Sequence, residues 1–101
     1  MDPIGKTYLF DCGEVVLSIT YLSDQKLAWK YAKGPDVGRS DEEDYASFVV
    51  RPGVYFMWWQ EKDTSVITQV VDFERMVVHT THISPENEVS AFQGVIRPVD
   101  S

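Results

Sequence analysis

The run Glu14-Val-Val-Leu-Ser-Ile-Thr-Tyr-Leu22 decides the fold, because it alternates. Val15, Leu17, Ile19 and Tyr21 fall on one parity, with Ser18 and Thr20 on the other. Successive side chains of a strand leave opposite faces, so this run reads as a strand with one apolar face turned inward. Residues 27–32 repeat the pattern, with Leu27, Trp29 and Tyr31 set against Lys30. Period two, not the 3.6 of a helix, then governs the rest of the chain.

Working outward, strands are expected at 6–10, 14–22, 27–32, 45–51, 54–60, 66–72, 76–83 and 88–97. Each is rich in Val, Ile, Thr and aromatic residues, and the separators hold Gly, Pro, Asp, Asn or Ser, which suit turns. The longest separator, 33–44, contains KGPDVGRS followed by DEED and reads as a loop with a solvated acidic stretch. No segment has the pattern of an amphipathic helix. Eight strands joined by short turns predict an all-β, eight-stranded antiparallel up-and-down barrel of lipocalin-like form. Closure of that kind removes exposed edges, and a barrel of this size either fills its interior or holds one small ligand. Two packed four-stranded sheets are the alternative. The run 54–60 is apolar on both parities, and an apolar outer face there would be covered by a loop or by another chain, so a homodimer is an expectation.

The totals limit what such a barrel can do. With 101 residues there is one domain, spanning 1–101. Hydrophobic content of 44% and aromatic content of 13% suit a folded core. A net charge of −7 opposes nucleic-acid binding, which needs a basic face, and gives no attraction to anionic lipid. The single Cys12 forms no internal disulfide, and no apolar run reaches the length of a membrane span. A cytoplasmic protein is expected.

Among chemical motifs, His79 and His82 lie three apart and would leave opposite faces of a strand, so no metal site is expected there. The acidic run lacks the spacing of a calcium loop, and Cys12 has no base near it in sequence. There is no P-loop, dinucleotide fingerprint or nucleophile elbow, and no cofactor is expected. The aromatic residues can fill a core or wall a pocket. Arg39, Glu61 and the Tyr8 hydroxyl are the polar candidates to converge on one, since an arginine fork grips a carboxylate and a desolvated carboxyl can move a proton.

The order of four short pieces is specific beyond these patterns. They are G-P-x-x-G-R at 34–39, P-G-x-Y-F-x-x-W-x-E at 52–61, the T-S-V and V-D-F-E pieces within 64–74, and F-x-G-x-I at 92–96. On these the chain resembles the MoaF-like group, single-domain calycin relatives of molybdenum cofactor biosynthesis protein F, over about 5–99. It is also similar to phenolic acid decarboxylases. That resemblance implies a substrate carboxylate held by two tyrosines two residues apart, with an arginine and a glutamate completing the site. Tyr8, Arg39 and Glu61 fall on three of these positions, and Phe10 stands where the second tyrosine would be. The lost hydroxyl removes a hydrogen bond to the carboxylate, worth about 1.5–3 kcal/mol. The molybdenum-cofactor role of some relatives is not carried over, since no pterin or metal site is read from these residues.

Three readings follow. The first is a barrel that binds a small aromatic or anionic metabolite. Phe10, Trp29, Tyr31, Tyr55, Met57 and Trp59 would line its cavity, with Arg39, Glu61 and Tyr8 orienting the ligand. The second is a cofactor-independent lyase or isomerase on the same barrel, in which Arg39 neutralises the substrate and Glu61 transfers a proton. The third is a filled barrel acting as an interaction module.

Overall fold

The computed structural model describes residues 3–99. Among the described residues nine strands follow one another: β1 (Thr7–Asp11), β2 (Val16–Tyr21), β3 (Lys26–Lys33), β4 (Ser40–Asp44), β5 (Ala46–Arg51), β6 (Val54–Gln60), β7 (Val66–Asp72), β8 (Val77–Ile83) and β9 (Val89–Pro98). All pairings are antiparallel, in the order β4-β3-β2-β1-β9-β8-β7-β6-β5. The sheet curls until β4 approaches β6, giving an all-β, nearly closed up-and-down barrel. Among the described residues no helix is long and apolar enough to cross a membrane.

The alternation of the 14–22 run holds. Ile19 and Tyr21 are fully buried, and Leu17 packs against the same core. Pairing carries that parity around the barrel, since Phe10 lies opposite Leu17, Ile19 opposite Trp29, and Trp59 opposite Ile67. The two-sided run 54–60 is resolved by its neighbours. Tyr55, Met57 and Trp59 turn inward, whereas Phe56 and Trp58 join Phe48 of β5 in a ring cluster on the outer face.

The acidic stretch 41–44 is a correction to the expectation of a loop. It forms β4, the ninth strand, paired with β3 so that Trp29 lies opposite Asp41 and Leu27 opposite Glu43. Two compensations allow the charge to enter a sheet. Glu43, only 6% exposed, accepts a hydrogen bond from Trp29 Nε1 at 3.0 Å. Asp41 pairs with Lys62 at 2.6 Å. Buried charge is tolerable when it is bonded in this way.

The two ends of the barrel differ. At one end Tyr8, Tyr21, Tyr45, Tyr55 and Phe73 stack into an aromatic plug, with ring centroids 4.8–6.3 Å apart. At the other end the β1–β2, β3–β4, β6–β7 and β8–β9 connections surround a hollow.

Candidate functional site

The hollow is a cavity of about 270 Å³, open at one end. Phe10, Leu17, Trp29, Tyr31, Trp59 and Ile67 form apolar walls, and Phe92 stands at the rim. Cys12, Asp36, Glu61, Gln69, Thr80 and His82 supply the polar groups. Few polar groups among aromatic walls is the usual make-up of a small-molecule pocket. A wider hollow of about 460 Å³ lies over the outer faces of β2, β3 and β4. It is a shallow strand surface open to solvent, and it encloses nothing.

Each wall has a local cause. Strand parity aims Trp29 and Tyr31 inward from β3, and the indole N–H of Trp29 is anchored on Glu43. Trp59 comes from β6, and its Nε1–H donates to Glu61 Oε2 at 3.2 Å, so the ring and the carboxylate fix one another. Glu61 opens the β6–β7 turn, which is closed by hydrogen bonds from Glu61 N to Ser65 O and from Thr64 N to Glu61 O. Burial holds the Glu61 carboxyl above its ordinary range, and the Trp59 hydrogen bond opposes that rise. Nearby Glu43 and Asp63 add to the rise, while His82 works against it. Burial likewise raises the Tyr31 phenol, with Glu61 and Asp36 contributing, and raises the Cys12 thiol, with help from Asp11.

Arg39 stands at the rim, not in the wall. The turn before it closes through Gly38 N to Tyr31 O and Tyr31 N to Arg39 O. Gly38 has φ near 92°, a left-handed conformation that residues with a side chain adopt at a cost. The exposed guanidinium bonds to Asp36 at 3.3 Å and lies 5.9 Å from the centre of the Trp29 ring, a cation–π distance. The Asp36 bond raises its already high pKa.

The residues singled out in the sequence therefore divide. Phe10, Trp29, Tyr31, Trp59 and Glu61 surround one cavity, with Arg39 at its edge. Tyr8 and Tyr55 belong to the plug at the far end, and Met57 is buried between the two regions. Tyr55 and Met57 also border a hollow of about 160 Å³ near Pro3 and Tyr45. Gln69, Thr80 and His82 were not singled out as cavity residues, although a signal was available. Gln69 shares the inward parity of Ile67 and Val71, and Thr80 and His82 share that of Val78. A polar residue on the inward parity of a strand marks a place where the interior is not only packing. His79 lies on the opposite, exposed face, and among the described residues no group of His, Cys, Asp and Glu is placed to hold a metal.

The geometry defines an antiparallel barrel stoppered by aromatic rings at one end and hollow at the other. By sequence, the chain belongs to the MoaF-like family, which matches residues 4–97. In structure it is similar to a crystal structure of a Burkholderia vietnamiensis protein provisionally named a beta-lactamase. The two share a TM-score of 0.91 and 23% identity, over 95% of this chain and 94% of that one. At that identity the likeness shows the fold alone. No protein of curated function matches the chain.

Proposed function

We propose that the chain is a small-molecule-binding barrel whose ligand, a compact aromatic metabolite, occupies the cavity between Trp29 and Trp59. One observation carries the reading: the aromatic walls enclose an open space with a few polar groups, while stacked aromatic rings plug the opposite end. The volume of about 270 Å³ equals roughly nine water molecules of liquid, enough for one or two fused rings. A carboxylate-bearing ligand would meet Arg39 only at the rim, in exchange for Asp36.

The test is titration with aromatic metabolites followed by tryptophan fluorescence. Saturable quenching is expected, and Leu17→Trp, which fills the hollow, should abolish it without unfolding the barrel. Quenching that survives Leu17→Trp would place binding elsewhere and contradict the proposal.

A second reading is a cofactor-independent lyase or isomerase. The observation in its favour is Glu61, a carboxyl raised by burial beside the cavity and so suited to proton transfer. The resemblance to phenolic acid decarboxylases, which rests on the sequence motifs alone, belongs to this reading. Product formation from a phenolic acid that disappears in Glu61→Gln would support it; stabilisation of the protein without any product would leave the binding reading.

The outer ring cluster supports a further proposal, that two copies associate along β5. Among the described residues this strand pairs only with β6, and Phe48, Val49 and Val50 are each more than half exposed. An antiparallel strand is self-complementary about a two-fold axis. Sedimentation should show a dimer that Phe48→Lys dissociates; a monomer at every concentration would overturn this.

A further inference from the structure

Gln69 is 4% exposed and borders the hollow. Register sets its height in the barrel. Along the inward parity of β7, Ile67 lies opposite Trp59 in the aromatic wall, Gln69 opposite Met57, and Val71 opposite Tyr55 of the plug. On its other side Gln69 faces Thr80 of β8. The amide is therefore part of the floor. Its Oε1 is sealed from solvent without a hydrogen-bond partner. Its Nε2, which also bonds to no described residue, is the end left facing the open space. A leucine or methionine fills similar space without the cost of unbonded polar groups. Packing alone gives no reason for an amide here. A donor turned toward a hollow is accounted for by an acceptor that arrives with a ligand.

The neighbouring donors are committed elsewhere. Thr80 Oγ1 donates to Thr68 O at 3.1 Å. Both indole N–H groups of the wall are engaged, Trp29 with Glu43 and Trp59 with Glu61. The His82 imidazole lies opposite Ile67, one inward step nearer the mouth than Gln69. Tyr31 stands by the β3–β4 connection, where its carbonyl accepts from Gly38 N. The floor thus offers an amide N–H at the inner end of a slot walled by Trp29 and Trp59. A flat ring seated between those indoles, with a carbonyl at its inner end, would bring an oxygen to that N–H. A neutral carbonyl gives up little hydration on entering and exchanges water for an N–H donor.

We propose that Gln69 is a ligand-recognising residue whose Nε2–H donates to a carbonyl oxygen at the inner end of a planar aromatic ligand, so that the cavity reads an acceptor as well as a ring. The inference rests on the small-molecule reading of the same cavity and names the chemistry recognised at its floor.

Acetophenone and α-methylstyrene test it. Both are planar and nearly one shape, with a carbonyl oxygen in the first where the second has a methylene group. In nuclear magnetic resonance titrations of the nitrogen-15-labelled protein, both should shift the Trp29 and Trp59 indole signals saturably. Acetophenone should also move the Gln69 side-chain amide signal downfield, and α-methylstyrene should not. Gln69→Leu should weaken acetophenone by about tenfold and leave α-methylstyrene unchanged or tighter. The unliganded variant should melt at the same or a higher temperature than wild type. If Gln69→Leu does not fold, Gln69→Met gives the same comparison. Equal losses for the two ligands, or no loss for acetophenone, would overturn the inference and leave the small-molecule reading standing. Failure of both ligands to saturate would remove both.

Discussion

Glu61 concentrates the chemistry of the mouth in one side chain. Burial favours its neutral form, so the folded state binds this proton more tightly than the unfolded chain, whose carboxyl titrates near 4.5. The stability contributed by that proton is fully present below about 4.5 and is lost as the pH rises through the raised folded value. Denaturant midpoints measured across this range should therefore fall in wild type relative to Glu61→Gln, whose amide does not titrate. A difference between the two proteins that stays constant with pH would show that burial does not shift this group. At this scale the sequence was legible where a residue type states its own role. The W-x-E spacing put Glu61 near Trp59, and the structure shows their hydrogen bond. Tyr8 was not legible in the same way. Parity turns it inward, but only the height of β1 along the barrel axis puts it in the plug, and height depends on register, which no local pattern states.

At the scale of elements, β4 and the β1–β9 seam matter most. The acidic run 41–44 looked like a loop because strand propensity counts against Asp and Glu. Its partners decided otherwise: an indole N–H lies 14 residues earlier and an ammonium 21 residues later. Neither is visible in a local window. The other eight strands were legible because alternation and turn residues agreed, and their ends shifted by only a few residues. The seam explains a glycine that the F-x-G-x-I pattern only flagged. A Cβ on Gly94 would run into the Asp11 carbonyl oxygen and lie 2.8 Å from Cys12 Sγ, so β9 can pass β1 this closely only without a side chain. Gly94→Ala should cost about 1–3 kcal/mol in chemical denaturation through this overpacking. A loss below about 0.5 kcal/mol, the range of neutral surface changes, would mean that the seam is looser than described.

For the whole molecule, the division into a packed end and a hollow end is the main functional statement. A barrel of this many strands has room for side chains or for one small guest, and this chain uses both options along a single axis. The tyrosines and Phe73 stack at one end, where the Tyr21 hydroxyl is buried without a hydrogen-bond partner. The other end keeps its aromatic residues at the walls. Composition could not show that difference, because an aromatic residue on the inward parity reads the same whether it fills a core or lines a space. Three tryptophans provide an internal control: Trp29 and Trp59 face the cavity, and Trp58 lies on the outer sheet. The most direct measurement is therefore a titration of the nitrogen-15-labelled protein with a compact aromatic compound such as indole, following the three indole N–H signals of the protein. The account predicts saturable shifts of Trp29 and Trp59 with Trp58 unmoved. Movement of Trp58 alone, or no movement of any of the three, would contradict it.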